Sequence, residues 1–178
     1  MPESEFFSAS ERLDRPVPSS LVVCVRVADF GVVNGAGVLS TLGLGSCVAI
    51  MLYEARARIG GLAHTLLPHE AMSRDRDNRA KFASTAVPLL IRELRALGSS
   101  GPLTAKLVGG ASMFGALMPV GGLSIGQRNV ESARRALIAA GITIVAEDVG
   151  GDYGRSAFFD VATGLVTVRS LNHGERVL

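Results

Sequence analysis

The 178-residue sequence predicts an α+β fold, a layered sandwich of mostly antiparallel β-sheet with two main helices packed on one side. Two observations carry this. About seven short apolar runs are bounded by Gly, Asn, Asp or Pro and fall largely into hairpins, which is a strand pattern. Two longer segments repeat their apolar residues at helical spacing and are closed by glycine. Hydrophobic residues make up 48% and charged residues 19%, the balance of a chain that buries one substantial core.

In chain order, Met1–Ser20 is polar, holds two prolines and shows no sustained period, so it is predicted to be a disordered tail, with residues 21–178 as a single domain. Leu21–Ala28 is a β-branched run and predicts a strand, with Cys24 in mid-strand as a buried, inert core thiol. Asp29–Gly37, with three glycines and Asn34, reads as loop or hairpin material, and Val38–Thr41 opens the next strand.

Val48–Tyr53 and Ile59–Leu67 are apolar runs separated by the polar segment Glu54–Arg58, a short connection that favours an antiparallel hairpin. A turn centred on Ala55–Arg56 makes facing positions sum to 111, which would set Cys47 opposite His64 with Cβ atoms roughly 5 Å apart. His69–Asn78 is a charged loop. Asp77 or Asn78 is placed to cap a helix running to about Leu97 and closed by Gly98, with Pro88 inside it and expected to bend it. Leu103–Val108 is a strand. Gly109–Gly126 is a glycine-rich loop of high apolar content, with Met113, Phe114, Leu117 and Met118. Asn129–Ala140 is the second amphipathic helix, stopped by Gly141. Strand Ile142–Asp148, turn Val149–Arg155 and the hairpin of Ser156–Val161 with Leu165–Ser170 complete the pattern.

The formal charge of +2 gives no argument for nucleic acid or an anionic membrane, and no apolar run has the roughly 18–20 residues of a membrane span. Neither a secretory leader nor a disulfide framework is visible, so a reduced, cytoplasmic protein is expected. No cofactor or metal is expected. Gly43-x-Gly45 is not followed by the Lys-Ser/Thr of a phosphate loop, and no Cys/His/carboxylate cluster has metal-ligand spacing.

The chemistry concentrates in TLGLGSC at 41–47 and GGLAHTLLP at 60–68. Cys47 follows a glycine-rich turn, where backbone N–H groups can converge on one centre. With an imidazole beside it, the thiol is a candidate nucleophile, because a neighbouring imidazolium favours the thiolate. His69 and His173 lie in polar segments and are read as surface. The backbone N–H of Ser46 or Cys47 is a candidate oxyanion donor.

These two motifs, with LVGGASMF at 107–114, IGQRN at 125–129 and EDVGGDYGR at 147–155, resemble the CheD family of chemoreceptor glutamine deamidases from about Leu21 to Asn172. The resemblance implies a layered sandwich fold and hydrolysis of receptor glutamine side chains to glutamate through a Cys–His thioester. Catalytic residues would be Cys47, His64 and Thr41. Gly45, Ser46, Phe114 and Asn129 are further oxyanion and cleft candidates, and Asp148–Arg155 would wall the cleft. The implied partners are the cytoplasmic helices of chemoreceptors and a CheC-type phosphatase, with Phe114 as an anchor if it lies on the rim. The rival reading is a non-catalytic regulatory protein that binds such a phosphatase. A cysteine peptidase has no support beyond the dyad.

Overall fold

The computed structural model describes residues 21–112 and 122–178. Ten strands and two α-helices are formed among them. They are β1 (Leu21–Cys24), β2 (Asp29–Asn34), β3 (Gly37–Leu44), β4 (Val48–Glu54), β5 (Ile59–Thr65), α1 (Ala83–Ala96), β6 (Thr104–Gly109), α2 (Ile125–Ala139), β7 (Thr143–Val149), β8 (Arg155–Asp160), β9 (Val166–Ser170) and β10 (Gly174–Val177). The strands form two five-stranded sheets, ordered β1-β3-β8-β9-β10 and β2-β5-β4-β6-β7. Pairing is antiparallel except for β1 with β3 and β6 with β7.

The layers follow from alternation along the strands. In β4, Val48, Ile50 and Leu52 join the core formed with α1 and α2, while Ala49 and Met51 join a second core between the sheets. A strand buried on both faces reads as a continuous apolar run, which is why VAIML carries no period. Both helices therefore cover one face of the β2-β5-β4-β6-β7 sheet, and the other sheet packs against its opposite face. The predicted sandwich class holds.

Several expectations need correction. Asp29–Asn34 is a strand on the edge of the helix-covered sheet, paired with β5, where loop or hairpin material was expected. Its glycine signal has a packing cause: a Cβ on Gly31 would come within 3.0–3.3 Å of Leu39, Val25 and Val23 side chains, so glycine marks a close approach of the layers. β1 ends at Cys24, and while Val23 packs toward the core between the sheets, Cys24 is exposed on the opposite face, so it is no core thiol. Asn78 caps a single 3-10 turn, Arg79–Lys81, and α1 begins after Phe82. Pro88 does lie inside α1, on its exposed side. α2 begins at Ile125, four residues ahead of the predicted start, because Ser124 and Gln127 form a reciprocal capping box. β10 was not foreseen.

The tail Met1–Ser20 and the apolar segment with Met113, Phe114, Leu117 and Met118 lie outside the described residues. Among the described residues, no helix is long and apolar enough to cross a membrane.

Candidate functional site

Cys47, His64 and Thr41 converge at one end of the sandwich, between the sheets. The β4–β5 hairpin turns around Arg56–Ala57, with Glu54 facing Ile59. Facing positions therefore sum to 113, where 111 was expected, and His64 pairs with Ala49. Cys47 sits two residues before Ala49, just ahead of β4. A shift of two preserves the face of a strand, where a shift of one would reverse it. Cys47 and His64 are thus diagonal rather than directly opposed, on the face turned toward the other sheet.

Thr41 reaches His64 from that other sheet. It is an inward residue of β3, fully buried like His64. Beyond it the β3–β8 pairing shifts register, since Thr41 faces Ala157 and Leu44 faces Arg155. The extra residue is a bulge, a device that redirects a strand beside a site. Here it separates Thr41 from the turn that delivers Cys47.

The hydrogen bonds fix the imidazole. Thr41 Oγ1 lies 2.8 Å from Val25 O and 2.7 Å from His64 Nδ1. A hydroxyl has one proton. Val25 O can only accept, so that proton goes to it, and His64 Nδ1 must be the donor to Thr41. The remaining ring nitrogen, Nε2, then carries a lone pair, and it is buried without a partner among the described residues. Burial lowers the His64 pKa to about 4, so the ring is neutral at neutral pH. Cys47 is half-buried. Burial pushes its thiol pKa up, and its own backbone N–H opposes this more weakly by favouring the anion. The resting site holds a neutral thiol and a neutral imidazole, where an imidazolium-activated thiolate was expected.

Backbone contacts hold Cys47 in place. Gly110 N donates to Cys47 O at 2.7 Å and Ala111 N to Gly45 O at 2.8 Å. Gly109 must be glycine: its φ is 115°, and a Cβ there would overlap Cys47 O. Asn129 Nδ2 donates to Ser46 O at 2.8 Å and to Leu66 O at 3.1 Å. It is a cleft candidate that turns out to be fully buried, behind the site. Gly45 and Ser46 lie in the turn before Cys47, half-buried. Phe114 is outside the described residues.

The Asp148–Arg155 turn is closed by an ion pair between its first and last residues. Arg155 is buried and bonds the Asp148 carboxylate at 2.5 Å, the Asp148 carbonyl at 2.7 Å and the Gly150 carbonyl. Gly150 N donates to Gly109 O at 2.9 Å and Ser112 N to Gly151 O at 2.8 Å, so the turn is bolted to the strand end beside Cys47. A cleft of about 620 Å³ borders the turn, lined in part by Gly43, Tyr153 and Arg169. His69 and His173 are exposed, as expected, and the His173 ring stacks on Tyr153. The signal that sequence reasoning lacked was Val25, whose carbonyl sets the Thr41 proton through a main-chain atom that no side-chain pattern reports.

A family model described as CheD chemotactic sensory transduction matches residues 66–170. A protein of Thermococcus kodakarensis named "Probable chemoreceptor glutamine deamidase CheD" is 46% identical over 154 residues, covering 86% of this chain and 95% of that protein. The chain belongs to the CheD family. Another member, "Probable chemoreceptor glutamine deamidase CheD 2" of Geobacter metallireducens, is 47% identical over 154 residues, covering 85% of this chain and 95% of its own. A Pyrococcus abyssi CheD protein is 45% identical over 152 residues, with 85% and 93% covered. The family model itself starts beyond His64. The matches to CheD relatives nonetheless take in the Thr41–His64 stretch, because a span of that length within 178 residues cannot avoid it.

Proposed function

We propose that this chain deamidates glutamine side chains of chemoreceptors, with Cys47 as nucleophile, His64 as proton carrier and Thr41 as the group that orients it. The observation that carries the reading is the bare Nε2 of His64, held in the accepting tautomer by Thr41 on the face it shares with Cys47. The choice of substrate is supported by the names of the CheD relatives, chemoreceptor glutamine deamidases.

A neutral pair favours base-assisted attack. As Cys47 Sγ bonds to the carboxamide carbon, its proton passes to His64 Nε2. The Cys47 N–H, with its neighbours in the glycine turn, holds the oxyanion. The imidazolium then gives that proton to the departing nitrogen. Ammonia leaves and a thioester remains. Water attacks the thioester, its proton passing by way of His64 to the leaving thiolate, and glutamate is the product. His64 begins and ends neutral, which suits a dry site that disfavours a standing imidazolium.

Mass spectrometry of co-expressed receptor cytoplasmic fragments tests the proposal. Glutamine-to-glutamate conversion, a gain of about 1 Da per site, should require both Cys47 and His64. Conversion that persists in Cys47→Ala would refute the mechanism. Absence of conversion by the wild-type chain would favour the regulatory binding role instead.

A further inference from the structure

Asn129 stands in the second turn of α2 and spans two strand ends. Its Nδ2 bonds Ser46 O, the residue before Cys47, and Leu66 O, two residues after His64. Both partners only accept, so the NH2 side of the amide must face them. Its Oδ1 is then buried with no partner among the described residues. A dry, unpaired carbonyl oxygen is unfavourable. One turn along the same helix, Ser132 Oγ bonds Pro68 O at 2.7 Å and leaves no such orphan. A helix that needed only to be held down would be served better by a second serine. What the carboxamide adds is two protons in fixed geometry, one for each strand end.

We infer that Asn129 is a positioning residue, which fixes the backbone of Cys47 relative to the strand end that carries His64. The Ser46–Cys47 peptide is trans, so a carbonyl held toward α2 turns the Cys47 N–H the opposite way. The same contact therefore sets both the thiol approach to Nε2 and the direction of the N–H assigned to the oxyanion. Leu66 is held at both its polar atoms, since its N–H donates to Lys81 O at 2.9 Å.

The activity readout rests on the deamidase proposal; the thiol readout does not. In a Cys24→Ser background, Asn129→Ala should lower kcat for deamidation by ~10- to 100-fold with KM changed less than about threefold, the size of effect that small misplacement of reacting groups produces. The pH midpoint for iodoacetamide modification of Cys47 should fall toward the ordinary thiol value, because a loosened strand end admits water. Ser132→Ala should change neither. Equal effects in the two variants, a rise in KM alone, or an unchanged kcat and alkylation profile in folded Asn129→Ala would overturn the inference. If Asn129→Ala does not fold, the wild type decides: the Asn129 side-chain amide protons should exchange slowly with solvent, and rapid exchange would refute the staple. If the wild-type chain does not deamidate, the deamidase proposal fails while the alkylation profile still judges Asn129.

Discussion

Lowering the pH should remove a defined share of stability through His64. Its ring is neutral in the folded protein down to pH about 4, because burial opposes the imidazolium. In the unfolded chain a histidine takes up its proton near pH 6.5. The unfolded state therefore binds more protons throughout the interval, and stability falls as pH falls. Integrating the linkage gives a loss of about 1.3 kcal/mol between pH 7.5 and 5.5, and about 3 kcal/mol once pH 4 is reached. The first window is the useful one, since most carboxylates titrate below it. The reference is His64→Asn, whose amide nitrogen can replace Nδ1 as donor to Thr41 and which does not titrate. Urea denaturation of both proteins at the two pH values gives the comparison. The wild type should lose about 1.3 kcal/mol more than the variant over this window. Parallel losses would mean that His64 takes up its proton as readily folded as unfolded, and the neutral resting pair would be wrong.

Thr41→Val should strand both His64 Nδ1–H and Val25 O, costing about 1–3 kcal/mol for each buried group. It should cut deamidation ~10- to 100-fold, less than Cys47→Ala does, and an unchanged rate would remove Thr41 from the site. Gly109→Ala should cost about 1–3 kcal/mol for the backbone conformation alone, before the overlap with Cys47 O is counted. An unshifted urea midpoint would contradict that. At neutral pH, peptide mapping after brief alkylation should find Cys24 modified ahead of Cys47, since Cys24 is exposed while Cys47 is half-buried with its pKa pushed up. The sequence alone argues the reverse order, so preferential labelling of Cys47 would restore the activated thiolate.

Fold class was legible because glycine closures and apolar runs are local signals. The pairing of Cys47 with His64 was legible to within two residues, and the face survived because strand side chains repeat every second residue. The centre of a four-residue turn is not encoded as firmly: Arg58 adopts φ 53°, a conformation that a sequence reading assigns first to glycine or asparagine. Gly31 was misleading for a different reason, since turn glycines and close-packing glycines look alike until the opposing layer is known. Cys24 failed on topology. A β-branched run predicts a strand, but whether one of its faces is covered depends on which sheet carries the helices. Protonation lay furthest from the residues, because desolvation of His64 is a property of the assembled layers.

His64 belongs to one sheet and Thr41 to the other, and they meet across the interface between the layers. The proton position on a single ring is therefore a gauge of whether two halves of the molecule have come together. A folding intermediate with the helix-covered sheet formed but the second sheet undocked would have an imidazole free to exchange tautomers and to titrate. The ring can become a fixed acceptor only once the two sheets are docked, so its nitrogen chemical shifts would report that docking whenever it occurs.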